Sequence, residues 1–349
     1  MSMVMLMMMM IFWGRSTAFV ATTSQRCKAV RRFPSASSNV NSWSARFSSS
    51  GMEDMTGWTI KKTIQESTKW LEQGKVPEPD LSVQHLLAAS LQLSWESGFR
   101  DVLQKNRAGV ILTPDQAQDY GRKLERRLQQ EPLQYILGQW DFLDYTISIR
   151  SPLLCPRPET EELVMKVIEE TTESPIHILD VGCGTGVIGL ALAEKMPDSS
   201  VEAIDIDPVA IATSLENAKR ILGPSQMSCY SAKLCSAQDF DPDHSFDIVV
   251  SNPPYIPRAD METLTEDVVR YENEGALCGG EEGMDVIRVI VEKLPSWCNA
   301  GAVCWMEVDP THPELIAKWI ADTPSLNVEF DSTHKDMYGK DRFVKLRLL

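Results

Sequence analysis

The sequence predicts a doubly wound α/β sheet of seven strands with an N-terminal bundle of helices. From residue 175 to the end, runs rich in β-branched and aromatic residues alternate with helix-spaced apolar patterns, the order of a largely parallel sheet. Between residues 54 and 135 the patterns are helical. We expect strands near residues 176–181, 201–205, 227–231, 246–251, 302–308, 326–331 and 342–348, and helices near residues 187–196, 208–222, 284–294 and 312–321.

Composition restricts the classes of function. The 349 residues suffice for about two domains with buried cores. The net charge is -15, but residues 1–50 hold six basic and no acidic residues, so the remaining chain carries -21. A body this acidic binds phosphate backbones poorly, which disfavours duplex DNA or RNA as a substrate. The eight cysteines form no C-x-x-C pair, so we expect neither a metal site nor a disulfide framework.

Residues 1–50 have the composition of a disordered organellar presequence. The apolar run from Met1 to Trp13 is too short to span a bilayer, and residues 14–50 are Ser-rich, Arg-containing and free of acid. Such a segment is drawn to anionic import surfaces. A secretory signal competes, because Ser16-Thr17-Ala18 resembles a small-residue cleavage site, and a bipartite plastid presequence would look similar. We expect a mitochondrial protein, with the plastid as the alternative.

A helical domain is expected over residues 54–137. Ser82 is the expected N-cap of its second helix, and Thr113 is the expected cap of its third. The three amphipathic stretches run from Thr59 to Gln73, from Leu81 to Gln92 and from Gln116 to Gln130.

Residues 138–162 are interpreted as a hairpin linker to an α/β domain over residues 163–349. The stretch from Trp140 to Arg150 alternates apolar and polar residues, which is typical of paired strands. A proline-rich segment then leads into a helix expected from Leu163 to Glu170. This segment is either a simple helix start capped by Thr160, or Arg157 and Glu159 in it position substrate or cofactor at the domain junction.

A glycine-rich turn follows the first strand of the α/β domain. Gly182-Cys183-Gly184-Thr185-Gly186 connects that strand to a helix, and its glycines let the backbone pass close under a ligand. Asp180 and Asp205 end the first and second strands. Because ligands of doubly wound sheets lie at the carboxyl ends of the strands, we expect these residues to bind a cofactor.

Two classes of cofactor fit this turn. Gly184, Gly186 and Gly189 satisfy G-x-G-x-x-G, and Asp205 lies nineteen residues after Gly186, so a nicotinamide-dinucleotide fold competes. Asp180 weighs against that cofactor, because a carboxylate there repels a pyrophosphate but suits a cationic sulfonium and its ammonium group. Asp205 fits both cofactors, since both present ribose hydroxyls.

The turn Asn252-Pro253-Pro254-Tyr255 follows a buried strand and is the candidate catalytic and substrate-binding element. Asn252 offers a side-chain carbonyl, and the prolines offer backbone carbonyls with no competing N–H. Such acceptors suit both hydrogens of a planar NH2 group and strengthen as its nitrogen turns positive during alkyl transfer. Tyr255 can stack on a flat substrate. The alternative interpretation is an ordinary β-turn.

Together, Asp-x-Gly-x-Gly-x-Gly, the acidic second strand end and the Asn-Pro-Pro-Tyr turn resemble the class I S-adenosylmethionine methyltransferases. Further segments are Glu131-Pro132-x-x-Tyr135-Ile136-x-Gly138, Pro156-Arg157-Pro158-Glu159-Thr160-Glu161, Tyr271-Glu272 and Gly279-Gly280-x-x-Gly283-Met284. The joint set resembles the HemK/PrmC family of protein-(glutamine-N5) methyltransferases, and Glu307-Val308-Asp309 resembles its mitochondrial branch.

The resemblance implies methylation of the glutamine in the Gly-Gly-Gln loop of an organellar class I peptide-chain release factor, with S-adenosyl-L-methionine as donor. It implies a helical domain that binds the release factor, cofactor contacts from Gly182 to Gly186, Asp205 and Asn252, and a glutamine site from Asn252 to Tyr255. We expect a direct displacement, in which the amide nitrogen attacks the sulfonium methyl group in line. The family commonly has an acidic residue after the third strand of this domain, where the chain has Ser231-Ala232-Lys233. Adenine recognition therefore departs from the family.

Two other functions compete. The same turn could grip the amine of adenine (N6) or guanine (N2) in a nucleic acid, which the acidic body disfavours. The chain could also be a cofactor-binding module without activity, but the intact Asp180, Gly182, Asp205 and Asn252 argue against decay. We expect a monomer that binds neither nucleic acid nor a membrane.

Overall fold

The computed structural model describes residues 55–95, 98–172 and 175–349; the expected presequence, residues 1–50, lies outside them. Helices form the N-terminal part of the described chain and enclose a core that includes Ile60, Leu71, Leu86 and Tyr120. This arrangement confirms the expected helical bundle. Its helices are α1 (Ile60–Gln73), α2 (Pro79–Ser90), α3 (Gly98–Arg107), α4 (Pro114–Leu128) and α5 (Leu133–Leu137).

The ends of these helices differ in part from the expectation. Thr113 caps α4 as predicted, since its hydroxyl accepts a hydrogen bond from the backbone N–H of Gln116. Ser82 does not cap α2, because a proline in the first turn starts the helix at Pro79. The Ser82 hydroxyl is instead buried and accepts a hydrogen bond from Nε of Arg127 at 3.0 Å. Helices α3 and α5 were not predicted.

A hairpin connects the bundle to the α/β domain, as expected. Strand β1 (Gln139–Phe142) pairs antiparallel with β2 (Tyr145–Ser148). The helix that follows, α6 (Pro158–Glu170), begins at Pro158 rather than at Leu163, because the proline suits the first turn and two glutamates there favour a helix N-terminus. The linker boundary expected after residue 162 therefore falls inside a helix.

A seven-stranded sheet forms the C-terminal part of the chain. Its strands are β3 (His177–Val181), β4 (Ser200–Asp205), β5 (Tyr230–Leu234), β6 (Phe246–Ser251), β7 (Cys298–Glu307), β8 (Val328–Lys335) and β9 (Asp341–Leu348). Their order in the sheet is β5-β4-β3-β6-β7-β9-β8, and β9 runs antiparallel to both of its neighbours while the other pairs run parallel. This is the doubly wound, seven-stranded sheet that the sequence predicts.

One strand is displaced from its predicted position. The segment Met227–Cys229 forms a 3-10 turn, so β5 begins at Tyr230 instead of at residue 227. Ser231, Ala232 and Lys233 consequently lie within β5 and do not follow it. The residues at the carboxyl end of β5 are Cys235 and Ser236, and neither is acidic.

Helices cover both faces of the sheet. After α6 they are α7 (Val187–Lys195), α8 (Pro208–Ile221), α9 (Glu266–Tyr271), α10 (Asp285–Trp297) and α11 (His312–Asp322). Along β3, Ile178 packs in the core beneath α6, α7 and α8, whereas Leu179 packs in the core beneath α10 and α11. Within the described ranges, no helix combines the length and the apolar character needed to cross a membrane.

Candidate active site

The predicted site residues meet at the carboxyl edge of the central strands. In β3, Val181 lies opposite both Ile204 of β4 and Ser251 of β6. Asp205 is the last residue of β4 and Asn252 is the first residue after β6, so they flank the end of β3. The structure therefore brings both strand ends to the place where the glycine turn begins.

The turn after β3 presents an open backbone surface. Gly182, Gly184 and Gly186 have φ values of +72°, +54° and +83°, a region that favours glycine. A Cβ atom at Gly182 or Gly184 would meet no atom within 4 Å, whereas one at Gly186 would lie 2.7 Å from Cβ of Ser214. The first two glycines thus border free space, and the third packs against α8. Cys183 and Thr185, the side chains between them, are buried.

Asp180 is a buried carboxylate with one unsatisfied oxygen. Its Oδ2 accepts a hydrogen bond from the backbone N–H of Gly189 at 2.9 Å, while Oδ1 has no partner among the described residues. Burial, with a smaller contribution from Asp205, raises the pKa of Asp180 to about 7. A cation next to Oδ1 would relieve both the missing contact and the burial of negative charge.

Gly189 lets α7 pack closely against β3 and β4, a role that the third glycine of a dinucleotide-binding pattern also has. A Cβ atom there would lie 2.9 Å from Oδ2 of Asp180 and 3.0 Å from the side chain of Val201. The third glycine of the G-x-G-x-x-G pattern is therefore explained by the packing of the Asp180 carboxylate against α7.

Asp205 is half-buried at the end of β4 and is held by backbone donors. Its Oδ2 accepts from the N–H of Gly184 at 2.9 Å, and its Oδ1 accepts from the N–H of Asp207 at 2.8 Å. Burial raises the pKa of Asp205, against these two hydrogen bonds. The first carboxylate in the chain after β5 is that of Asp239. Its Oδ2 accepts a hydrogen bond from the Ser236 hydroxyl at 2.6 Å, within the same turn.

The turn from Asn252 to Tyr255 rests on a glycine-rich loop. The N–H of Ile256 donates to the carbonyl of Leu277 at 2.9 Å, and the N–H of Gly279 donates to the carbonyl of Ile256 at 2.9 Å. A Cβ atom at Gly279 would lie 2.6 Å from the Pro254 carbonyl oxygen. The sequence alone had shown these glycines only as part of a family pattern, and the structure explains them by the close approach of two backbones.

A hydrogen-bonded chain of buried side chains anchors Asn252. Its Nδ2 donates to the hydroxyl of Thr160 at 3.1 Å, and that hydroxyl donates to Oε2 of Glu307 at 2.8 Å. The Tyr255 hydroxyl lies 3.3 Å from Oε1 of the same glutamate and donates to it. Sequence reasoning missed this role of Thr160 and Glu307: the first was interpreted as a helix cap, a position that Arg157 occupies instead.

Arg157 and Glu159 occupy different surroundings. Nη2 of Arg157 forms an ion pair with buried Glu272 at 3.1 Å. The same arginine lines a cavity of about 230 Å³ together with Trp140, Cys155 and residues of the helical bundle. Glu159 is half-buried on the first turn of α6, next to Thr160. The geometry thus assigns Arg157 to the junction between the bundle and the sheet, and a substrate role for either residue stays a prediction.

Comparisons with known proteins place these features in context. Residues 62–138 match the family model described as the PrmC N-terminal domain, and residues 159–280 match the methyltransferase small domain. The human MTRF1L release factor glutamine methyltransferase is 35% identical over 302 residues, covering 82% of this chain and 88% of the human protein. The release factor glutamine methyltransferase of Geobacter sulfurreducens is 31% identical over 299 residues, covering 83% and 97%.

Among solved structures, a ribosomal protein L11 methylase from Lactobacillus delbrueckii subsp. bulgaricus is 19% identical with a TM-score of 0.41, covering 58% of this chain and 84% of that chain. The strand order, rather than this likeness, identifies the fold.

Proposed function

Because the chain belongs to the release factor glutamine methyltransferase family, we propose that it methylates a glutamine side chain of a peptide-chain release factor. The acceptor is the amide nitrogen, N5, of the glutamine in the Gly-Gly-Gln loop of an organellar class I release factor, and S-adenosylmethionine is the methyl donor. The observation that carries the proposal is the anchored carboxamide of Asn252 at the carboxyl edge of the sheet, beside the open glycine turn.

The residues at this edge fit S-adenosylmethionine, which supplies the transferable methyl group when bound. The unsatisfied Oδ1 of Asp180 suits an ammonium group, and the carboxylate of Asp205 suits ribose hydroxyls. The turn from Gly182 to Gly186 leaves room for a ligand against its backbone. Asn252 lies at the border between this cofactor space and the substrate space.

The chain's own groups would hold the glutamine amide rather than act as strong bases. Since Nδ2 of Asn252 is engaged by Thr160, its Oδ1 is the atom left to accept from the substrate NH2, with the Pro253 carbonyl as second acceptor. These acceptors stabilise the positive charge that develops on the amide nitrogen. Tyr255, whose hydroxyl is fixed by Glu307, lies on the same turn and can stack on the flat amide.

The proposal is tested with labelled S-adenosylmethionine and separate pools of organellar protein and RNA, followed by identification of the labelled residue. We expect label on the Gly-Gly-Gln glutamine of a release factor, and none on the same factor carrying glutamate at that position. Label on adenine or guanine in the RNA pool would contradict the proposal and favour the nucleic-acid alternative. Loss of methyl transfer at a moderate salt concentration would also favour the nucleic-acid alternative.

We also propose that the protein works in the mitochondrion as a monomer, with the helical domain, residues 54–137, binding the release factor. The acid-free, basic composition of residues 1–50 supports import. The test is a fluorescent protein fused behind residues 1–50: mitochondrial fluorescence is expected, and plastid fluorescence would instead favour the alternative.

A further inference from the structure

Glu307 is a buried carboxylate to which the proposed methyl transfer gives no contact with the substrate or the donor. It ends β7, and only 2% of its surface is exposed. Both of its oxygens accept hydrogen bonds from hydroxyl groups: Oε2 from Thr160 at 2.8 Å and Oε1 from Tyr255 at 3.3 Å. Burying a charged group is unfavourable unless its partners are specific, so the arrangement requires an explanation.

The polarity of this chain of hydrogen bonds is fixed at Thr160. A threonine hydroxyl has one hydrogen, and here it is donated to the Glu307 carboxylate. Toward Asn252 the hydroxyl can therefore only accept, and it faces the NH2 end of the carboxamide at 3.1 Å. The opposite end of that carboxamide, the Oδ1 atom, is thereby directed away from Thr160.

We propose that Thr160 and Glu307 are positioning residues that set the orientation of the Asn252 carboxamide, so that it presents its carbonyl oxygen to the substrate amide. The inference rests on the proposed function, since a substrate NH2 group needs an acceptor. A flipped Asn252 would present its own NH2 group and repel the substrate donor. A carboxylate, which accepts at both oxygens, is the side chain that enforces a single polarity on two hydroxyls.

The same relay makes the orientation of Asn252 depend on pH. The groups that face Glu307 are Thr160 and Glu159 of α6, Tyr255 of the substrate turn and Arg342 of β9. Burial raises the pKa of Glu307, against the hydrogen bond from Thr160 and the positive charge of Arg342. When protonated, the carboxyl group can donate to Thr160, which frees the threonine hydroxyl to donate to Oδ1 of Asn252. The preferred orientation is then lost as the pH falls.

The test compares Thr160→Val with Thr160→Ser in the full chain, using a release factor as methyl acceptor. Valine removes the hydroxyl, so we expect kcat to fall by ~10–100-fold with little change in KM for S-adenosylmethionine, while serine restores most of kcat. Thr213→Val is the matched control, because Thr213 is fully buried in α8 and its hydroxyl has no partner among the described residues. A kcat of Thr160→Val within about twofold of the control overturns the inference.

Two further measurements separate positioning from packing. In protein labelled with 15N-asparagine, the Asn252 NH2 hydrogens should exchange faster in Thr160→Val than in the wild type, and unchanged exchange overturns the inference. This measurement does not depend on activity. A wild-type enzyme that transfers no methyl group to glutamine would contradict only the proposed function. In the wild type we expect kcat to fall in acid, as Glu307 is protonated and Asn252 loses its preferred orientation. The side chain of Glu307→Gln cannot be protonated, so this acidic fall of kcat should disappear in the variant. If Thr160→Val does not fold, that pH profile decides, and an unchanged acidic fall contradicts the relay.

Discussion

Asn252 is the residue on which binding of the methyl acceptor, the glutamine amide, depends. It is the first residue after β6, and its carboxamide is anchored through Thr160 to a buried carboxylate. We expect Asn252→Ala to lower kcat by ~10²–10³-fold, the effect of losing one preorganised polar contact to a developing charge. The measurement is methylation of the release factor under saturating donor. Asn299→Ala is the control, since Asn299 lies near the start of β7, where its Nδ2 donates to Asp247; equal activities would contradict the role of Asn252.

Asp180 makes the stability of the cofactor-free protein depend on pH. Its folded-state pKa, raised by burial to about 7, lies above the unfolded value of about 4, so its contribution is full in strong acid, declines as the pH rises from about 4, and is gone by about pH 8. Between about pH 6 and about pH 8 we expect the unfolding temperature of the wild type to fall by ~2–4 °C more than that of Asp180→Asn. Thermal unfolding followed by fluorescence measures both proteins. Parallel curves would show that Asp180 is not the titrating group.

At the scale of elements, the glycine loop before α10 determines whether the turn from Asn252 to Tyr255 can form. Gly279 has no room for a Cβ atom, because the Pro254 carbonyl oxygen and the backbone of Gly283 would lie within 2.7 Å of it. We expect Gly279→Ala to cost ~1–3 kcal/mol of unfolding free energy and to lower kcat together with it, as for other overpacked sites.

Chemical denaturation and methylation assays measure the effect of Gly279→Ala. The control is Gly223→Ala, where the added Cβ would meet one side-chain atom at 4.0 Å. If both alanine variants lost the same stability, the loop would not be supporting the substrate turn through close backbone approach.

Elements built from contiguous residues could be predicted from the sequence. The glycine turn and the Asn-Pro-Pro-Tyr turn each combine a strand end with residues of special backbone geometry, and Asp205 is an acidic strand end. The structure places all three at one edge. The pair Thr160 and Glu307 could not be found in this way, because the two residues are 147 positions apart and each has an ordinary local interpretation. The displacement of β5 has a similar cause: the apolar residues of Met227–Cys229 extend the strand pattern, but their backbone forms a tight turn.

At the scale of the whole molecule, α9 joins the helical bundle to the sheet. Nη1 of Arg270 and the hydroxyl of Tyr271 both donate to the carbonyl of Gln129, just after α4, at 3.2 and 3.1 Å. The adjacent Glu272 pairs with Arg157 in the linker. These contacts fix the direction in which the bundle extends from the site.

If the bundle binds the release factor, removing the contacts between α9 and the bundle should weaken recognition of the release factor more than binding of the cofactor. For the double variant Arg270→Ala, Tyr271→Phe we expect KM for the release factor to rise by ~3–10-fold, with donor affinity nearly unchanged, since each exposed hydrogen bond contributes about 1 kcal/mol. Steady-state kinetics and calorimetry measure the two quantities. Lys335→Ala, which removes an exposed ion pair with Asp341, is the control. An equal loss of donor affinity would argue against a separate recognition role.

The boundary between β3 and β6 divides the site into two halves that are built from different structural elements. Asp180 and Asp205 lie in β3 and β4, and the glycine turn connects β3 to α7. Thr160 and Glu307 lie in α6 and β7, and Asn252 directly follows β6. The hydrogen bonds of Asp180 and Asp205 lie within one half, and those among Asn252, Thr160 and Glu307 lie within the other. We therefore expect substitutions in one half to leave the structure of the other half intact. An engineer seeking new alkylation chemistry could therefore retain the nucleoside side unchanged and redesign only the carboxamide side, using the threonine–glutamate brace as the adjustable component.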